Sequence, residues 1–134
     1  MAHEFSRGIR DAFWQVTQAL PNQNTNNSSG SMDLKTDAFK PEDFEVEIDI
    51  PATPSLANGQ TLTFLVQDSA DNSSFASISG ATQFVLTGGA SGAAAQKFHF
   101  RVPSNARQYI RVNTAASATA GDSTAVSLSL RLVF

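Results

Sequence analysis

Apolar residues return at every second position along most of this chain. Phe44, Val46, Ile48 and Ile50 alternate with Glu45, Glu47 and Asp49. Leu62, Phe64 and Val66 alternate with Thr61, Thr63, Leu65 and Gln67. Phe98, Phe100 and Val102 alternate with Lys97, His99 and Arg101, and Ile110 and Val112 with Arg107, Tyr109 and Arg111. Val126, Leu128, Leu130, Leu132 and Phe134 alternate with Ala125, Ser127, Ser129 and Arg131, and residues 82–87 make a sixth segment. Successive side chains of a strand point to opposite faces, so such segments bury one face and wet the other. Gly, Pro and Asn clusters separate them, among them Pro51 to Pro54, Asn58-Gly59, Gly88 to Gly92 and Pro103 to Asn105. Short strands punctuated in this way read as an all-β sandwich or barrel. A jelly-roll-like β-sandwich is the preferred topology, although periodicity does not separate it from an immunoglobulin-like sandwich. At 134 residues without cysteine, the chain is long enough for one core that needs no disulfide. The expected core comprises Val46, Ile48, Phe64, Phe84, Phe98, Phe100, Ile110, Leu128 and Leu130.

The first thirty residues read differently. Phe5, Ile9, Phe13, Val16 and Leu20 recur at helical spacing, while Phe13, Trp14, Val16 and Thr17 favour strand. Residues 1–21, closed by Pro21, are expected to form an extended or short-helical arm ordered by packing on something else. Residues 22–31 (NQNTNNSSGS) hold no apolar residue and read as a polar linker. The sandwich is expected over residues 32–134. A linker of ten residues reaches about 16–19 Å, enough to lay the arm on a neighbouring subunit; covering its own domain is the competing arrangement. Met1-Ala2-His3-Glu4-Phe5 lacks the basic-then-apolar pattern of a secretion signal. No apolar run approaches the ~18 residues of a membrane span.

Enzymatic signatures are missing. The two histidines are His3, near the terminus, and His99, flanked on its face by Lys97 and Arg101. Cationic neighbours make His99 a poor base or metal ligand. No G-x-S-x-G elbow occurs. Gly88-Gly89-Ala90-Ser91-Gly92 lacks the spacing of a phosphate loop. Asp68-Ser69-Ala70-Asp71-Asn72-Ser73 lacks the ligand alternation of a calcium loop and reads as an Asx-turn cluster. The carboxylates of 42–49 lie on one segment, whereas glycosidases set a pair across a cleft. No catalysis, cofactor or metal is therefore expected.

Charge is the remaining signal. Residues 1–56 hold nine acids and four bases, and residues 57–134 three acids and five bases. The net charge of -3 argues against nucleic acid as partner. Glu45, Glu47 and Asp49 share one strand face, while Lys97, His99, Arg101 and Arg107, Tyr109, Arg111 line two others. Two readings stand open. The charges are solvated or paired within one sheet, worth less than about 1 kcal/mol per pair, or they form complementary patches that join subunits or dock a partner.

The motif QDSAD-x-SSF at 67–75, then R-x-P-x-x-x-R-x-Y-I-R-V at 101–112, a small-residue loop and a closing apolar strand resemble the capsid cement (decoration) proteins of tailed bacteriophages. Ser31-Met32-Asp33-Leu34 ahead of the first alternating strand fits as well, so the resemblance runs over residues 31–134. It implies a jelly-roll-like domain, made in the host cytoplasm, that sits on the outer capsid surface and clamps neighbouring major capsid subunits, without catalysis or cofactor. Symmetric closure would let acidic and basic faces satisfy each other, as a homodimer ahead of a homotrimer. The interface residues expected are Phe5, Ile9, Phe13, Trp14, Glu45, Glu47, Asp49, Arg101, Arg107, Tyr109 and Arg111. The competing classes are a carbohydrate- or receptor-binding sandwich of a phage fibre, for which one Trp and one Tyr are few, and a hydrolase using the acidic strand.

Overall fold

The computed structural model describes residues 10–34, 45–78 and 83–133, with the backbone alone for 10–14. These residues form ten strands and no helix. One antiparallel sheet holds β1 (Arg10–Ala19), β10 (Ser127–Val133), β4 (Glu45–Ile50) and β8 (Gln96–Arg101), in that order. The other runs β2 (Asn26–Ser28), β9 (Tyr109–Ala116), β5 (Thr61–Ser69) and β6 (Ala76–Ser77); β3 (Met32–Asp33) also pairs with β9, and β7 (Phe84–Thr87) with β5. β2 and β3 follow one another along one side of β9, and β7 and β6 do so along β5. Counting each such couple as one interrupted strand leaves eight positions, ordered 1-8-3-6 and 2-7-4-5. Apart from positions 4 and 5, sheet neighbours are thus remote in sequence, and the chain crosses repeatedly between sheets, the doubled Greek key of a jelly roll.

The period of two builds the core. Leu128, Leu130 and Leu132 of β10 and Val46, Ile48 and Ile50 of β4 are sealed against Leu62, Phe64 and Val66 of β5 and Ile110 and Val112 of β9. Each side chain so buried contributes about 1.5–3 kcal/mol. Of the expected core, seven residues are buried. Phe84 and Phe98 are half-buried and pack on that cluster. Their rings stack at 5.0 Å, and Phe98 lies 6.0 Å from Phe64, which closes the sandwich between β7 and β8. Gly92 turns the β7–β8 connection with φ 83° and meets the backbone of Thr53 and Pro54 where a side chain would stand. Only glycine fits such a contact without displacement.

Over residues 10–19 the extended alternative for the arm holds, and residues 10–31 are joined to the sandwich. Residues 10–19 are strand throughout and pair with β10 in their own sheet, from Arg10↔Val133 to Ala19↔Ser127, with a register shift between Arg10 and Gln15. The β-branched and aromatic residues prevail because β10 offers an edge to pair with. Leu20 is fully buried, and its N–H donates to Val126 O at 2.9 Å. This stretch covers its own domain. The polar segment at 22–31 is a crossing between sheets, and residues 26–28 pair with β9. Its side chains join the backbone ladder: Asn27 Nδ2 donates to Ala19 O at 3.3 Å, and Ser29 Oγ accepts from Val112 N–H at 3.0 Å. Asn24 turns the chain with φ 57°. Phe5 and Ile9, the side chains of Phe13 and Trp14, and the ends at Phe44 and Phe134 lie outside the described residues.

Candidate functional site

The acidic and basic strands are sheet neighbours. β4 pairs with β8 so that Glu45 stands opposite Arg101, Glu47 opposite His99 and Asp49 opposite Lys97. On its other side β4 pairs with β10, which sets Arg131 opposite Glu47. Glu47 is only 1% exposed. Arg131 reaches both Glu47 and Asp49 at 3.4 Å. The His99 ring lies between Glu45 and Glu47, with Nδ1 3.8 Å from one carboxylate and Nε2 3.7 Å from the other. Of the two readings left open for Glu45, Glu47 and Asp49, these contacts are those of pairing within one sheet. The acids of this central strand are met by His99 on one side and Arg131 on the other, whereas Lys97 and Arg101 make no ion pair among the described residues. Arg131 is the partner that sequence reasoning missed. Its place in the outward phase of the last strand was visible, but not that β10 lies beside β4.

The two basic groups lie in different sheets. Lys97, His99 and Arg101 lie on β8, whereas Tyr109 and Arg111 belong to the other sheet. Arg107 precedes β9 and does not share its alternation. It grips Asp68 instead. Its backbone N–H donates to Asp68 Oδ2 at 2.9 Å, Nε to Oδ1 at 3.0 Å, and one terminal nitrogen to Oδ1 at 2.6 Å and to the Asp68 carbonyl at 2.9 Å. Hydrogen bonding to Asp68 raises the Arg107 guanidinium further above its ordinary value. Asp68 itself is buried, so this is a desolvated acceptor whose bonds are charge-assisted.

Arg111 continues the clasp. It stands opposite Gln67, donates from Nε to Gln67 Oε1 at 2.9 Å, and lies 4.0 Å over the Phe75 ring, a cation–π contact. Nearby, Gln108 Nε2 donates to Asp33 Oδ1 at 3.0 Å. The loop between Asp68 and Phe75 folds around Asp71. Its Oδ1 accepts from Ser69 Oγ at 2.8 Å and from the N–H groups of Ser73 and Ser74 at 2.9 Å each. These bonds, the Ser74 N–H first, lower the Asp71 carboxyl from 3.8 to about 2. Asn72 takes φ 59° to complete the turn, and Ser31 Oγ donates to its side-chain oxygen. The segments 67–75 and 101–112, separate in sequence, thus lock together through the β5–β9 ladder.

No pocket opens among the described residues, and no group of three acidic, histidine or cysteine side chains there is placed to hold a metal ion. No helix among them is long and apolar enough to cross a membrane. The chemistry on display is that of surfaces, edges and fastened loops, in the eight-position jelly-roll sandwich already described.

A family model described as Bbp16 matches residues 17–129, and the chain belongs to that family. No curated protein matches the sequence. Among solved structures, PirA shares 12% identity over 89% of this chain and 93% of its own, with a TM-score of 0.49. The PBSX exported protein XepA shares 12% identity over 95% of this chain with a TM-score of 0.52, and the chain spans 37% of its length. A family GH115 4-O-methyl-α-glucuronidase shares 17% identity over 83% of this chain and 13% of its own, with a TM-score of 0.44. The likeness to XepA is one of fold.

Proposed function

We propose that this protein is a structural protein of a tailed-phage virion, a cement protein that sits on the outer capsid surface and clamps neighbouring major capsid subunits. The observation that carries the reading is the clasp between residues 67–75 and 101–112. The two segments that resemble cement proteins in sequence are the two that meet in space, through Asp68–Arg107 and Gln67–Arg111. The Bbp16 match covers both segments. A jelly roll with fastened loops presents broad, stiff faces, which suits a protein that must hold a lattice rather than turn over a substrate.

Self-association, as a dimer ahead of a trimer, is part of the proposal. The β4 acids are met within their own sheet by His99 and Arg131 and offer no free acidic patch to a second copy, so the subunit contact falls to other surfaces. The test is co-sedimentation of the purified protein with empty shells of the major capsid protein of the same phage. Saturable binding at a fixed ratio to the shell subunit is expected. Absence of binding to shells, together with binding to glycans on an array, would replace this reading with that of a receptor-binding sandwich.

A further inference from the structure

We infer that the open edge of β8 docks an extended segment of a partner chain, alternating acidic and apolar residues, by strand addition. Three observations converge there. β8 ends its sheet in the order β1-β10-β4-β8, so the backbone groups on its outer side have no strand partner among the described residues. Such an edge is a template for another strand.

The second observation is unspent charge. Lys97 and Arg101 are exposed, and neither makes an ion pair among the described residues. The acids opposite them are engaged elsewhere, Asp49 by Arg131 and Glu45 by His99. The third is Phe98. It faces inward between these cations yet stays half-buried, whereas the inward residues of β4 and β10 are sealed. An added strand with acids opposite Lys97 and Arg101 turns its intervening side chains inward beside Phe98, because side chains alternate.

The same residues exclude two other occupants. A second copy paired antiparallel through β8 would set Lys97 against Arg101 of its mate, which places like charges opposite each other. A nucleic acid has no peptide N–H and C=O ladder to pair with the strand edge and no apolar side chain to set inward beside Phe98. Lysine on an edge also deters promiscuous pairing, and an acidic strand is the occupant that turns this deterrent into selectivity.

The identity of the partner as a capsid subunit rests on the cement reading; the chemistry of the edge does not. The test is therefore made without capsids. A short peptide alternating glutamate and valine is titrated into the protein, with amide NMR shifts and hydrogen exchange as readout; a lysine–valine peptide and a short single-stranded DNA serve as controls. Slowed exchange confined to residues 96–101, only with the acidic peptide, is the expected result. Lys97→Gln with Arg101→Gln should weaken binding about fivefold, from the usual size of two cross-strand charge pairs. Equal binding of either control, protection elsewhere, or unchanged affinity in the double variant would overturn the inference. Localisation on the wild-type protein decides the matter even where a variant is unstable. Shells that fail to bind the protein would sink the cement reading and leave this one standing.

Discussion

At the scale of single residues, two aspartates three positions apart, Asp68 and Asp71, do different work. Asp68 is buried, and its carboxylate accepts three hydrogen bonds from Arg107, one from the backbone N–H at 2.9 Å and two from the guanidinium. Asp68→Ala removes a charged acceptor and leaves the Arg107 N–H without its bond. Hydrogen bonds to charged groups contribute about 1.5–3 kcal/mol each, so a loss of about 2–3 kcal/mol is expected in urea unfolding. Stability unchanged within error would show that the clasp is incidental. Asp71 lies in the exposed loop and acts on order there. Its carboxyl sits at about 2 in the folded chain against an ordinary 3.8. A depressed folded value means the contribution is complete above the ordinary value and disappears as pH falls through the folded one. The bonds to Ser69, Ser73 and Ser74 should therefore persist at pH 5 and fade between about pH 4 and pH 2. Amide exchange at Ser73 and Ser74 reads this directly, and Asp71→Asn should abolish the pH dependence. A wild-type profile flat to pH 2 would contradict it.

At the scale of elements, β1 shows what periodicity alone misjudges. Phe5, Ile9, Phe13, Val16 and Leu20 fall at helical spacing, but residues 10–19 of that run are strand and pair with β10. The β-forming run Phe13-Trp14-Gln15-Val16-Thr17 carried the better signal, since its partner edge, β10, supplies the ladder. Polar residues 22–31 misled for a related reason. Asn27 and Ser29 spend their side chains on the backbone of the sandwich, a use that composition does not reveal. The consequence is testable. Removing residues 1–20 strips β10 of a neighbour, deletes the buried Leu20 and exposes a long apolar edge. Burial of Leu20 alone is worth about 1.5–3 kcal/mol, so thermal unfolding of the truncated chain should shift down by about 5–15 °C, or the chain should aggregate. Removing residues 1–8 leaves the described ladder, from Arg10 to Ala19, in place and should cost less than removing residues 1–20. A truncation to residue 21 that melts like the full chain would restore the view of a dispensable arm.

At the scale of the whole molecule, the strands and their inward faces were legible because alternation is a local property. The strand β4, the central run of β5 and the closing strand β10 were each visible as apolar phases, and those phases are the core. Strand order was not legible, because the neighbours of β4 are β10 and β8, and no local pattern specifies a partner so distant in sequence. The charges inherit that limit. Glu45, Glu47 and Asp49 were legible as one face, as were Lys97, His99 and Arg101, but only topology sets them side by side. From this follows an expectation for self-association. Patches that joined subunits through these charges would weaken as salt rises, since exposed pairs beyond about 8–10 Å are screened at ordinary ionic strength. Pairing inside one sheet removes that route: Glu47 is buried against Arg131, and Asp49 shares the same guanidinium. Light scattering at ~50 mM and ~500 mM salt should therefore report the same mass, that of a dimer held by contacts other than the β4 and β8 charges. A dimer at low salt that falls to monomer at high salt would return those charges to the subunit interface; a monomer at both would remove self-association in solution from the proposal.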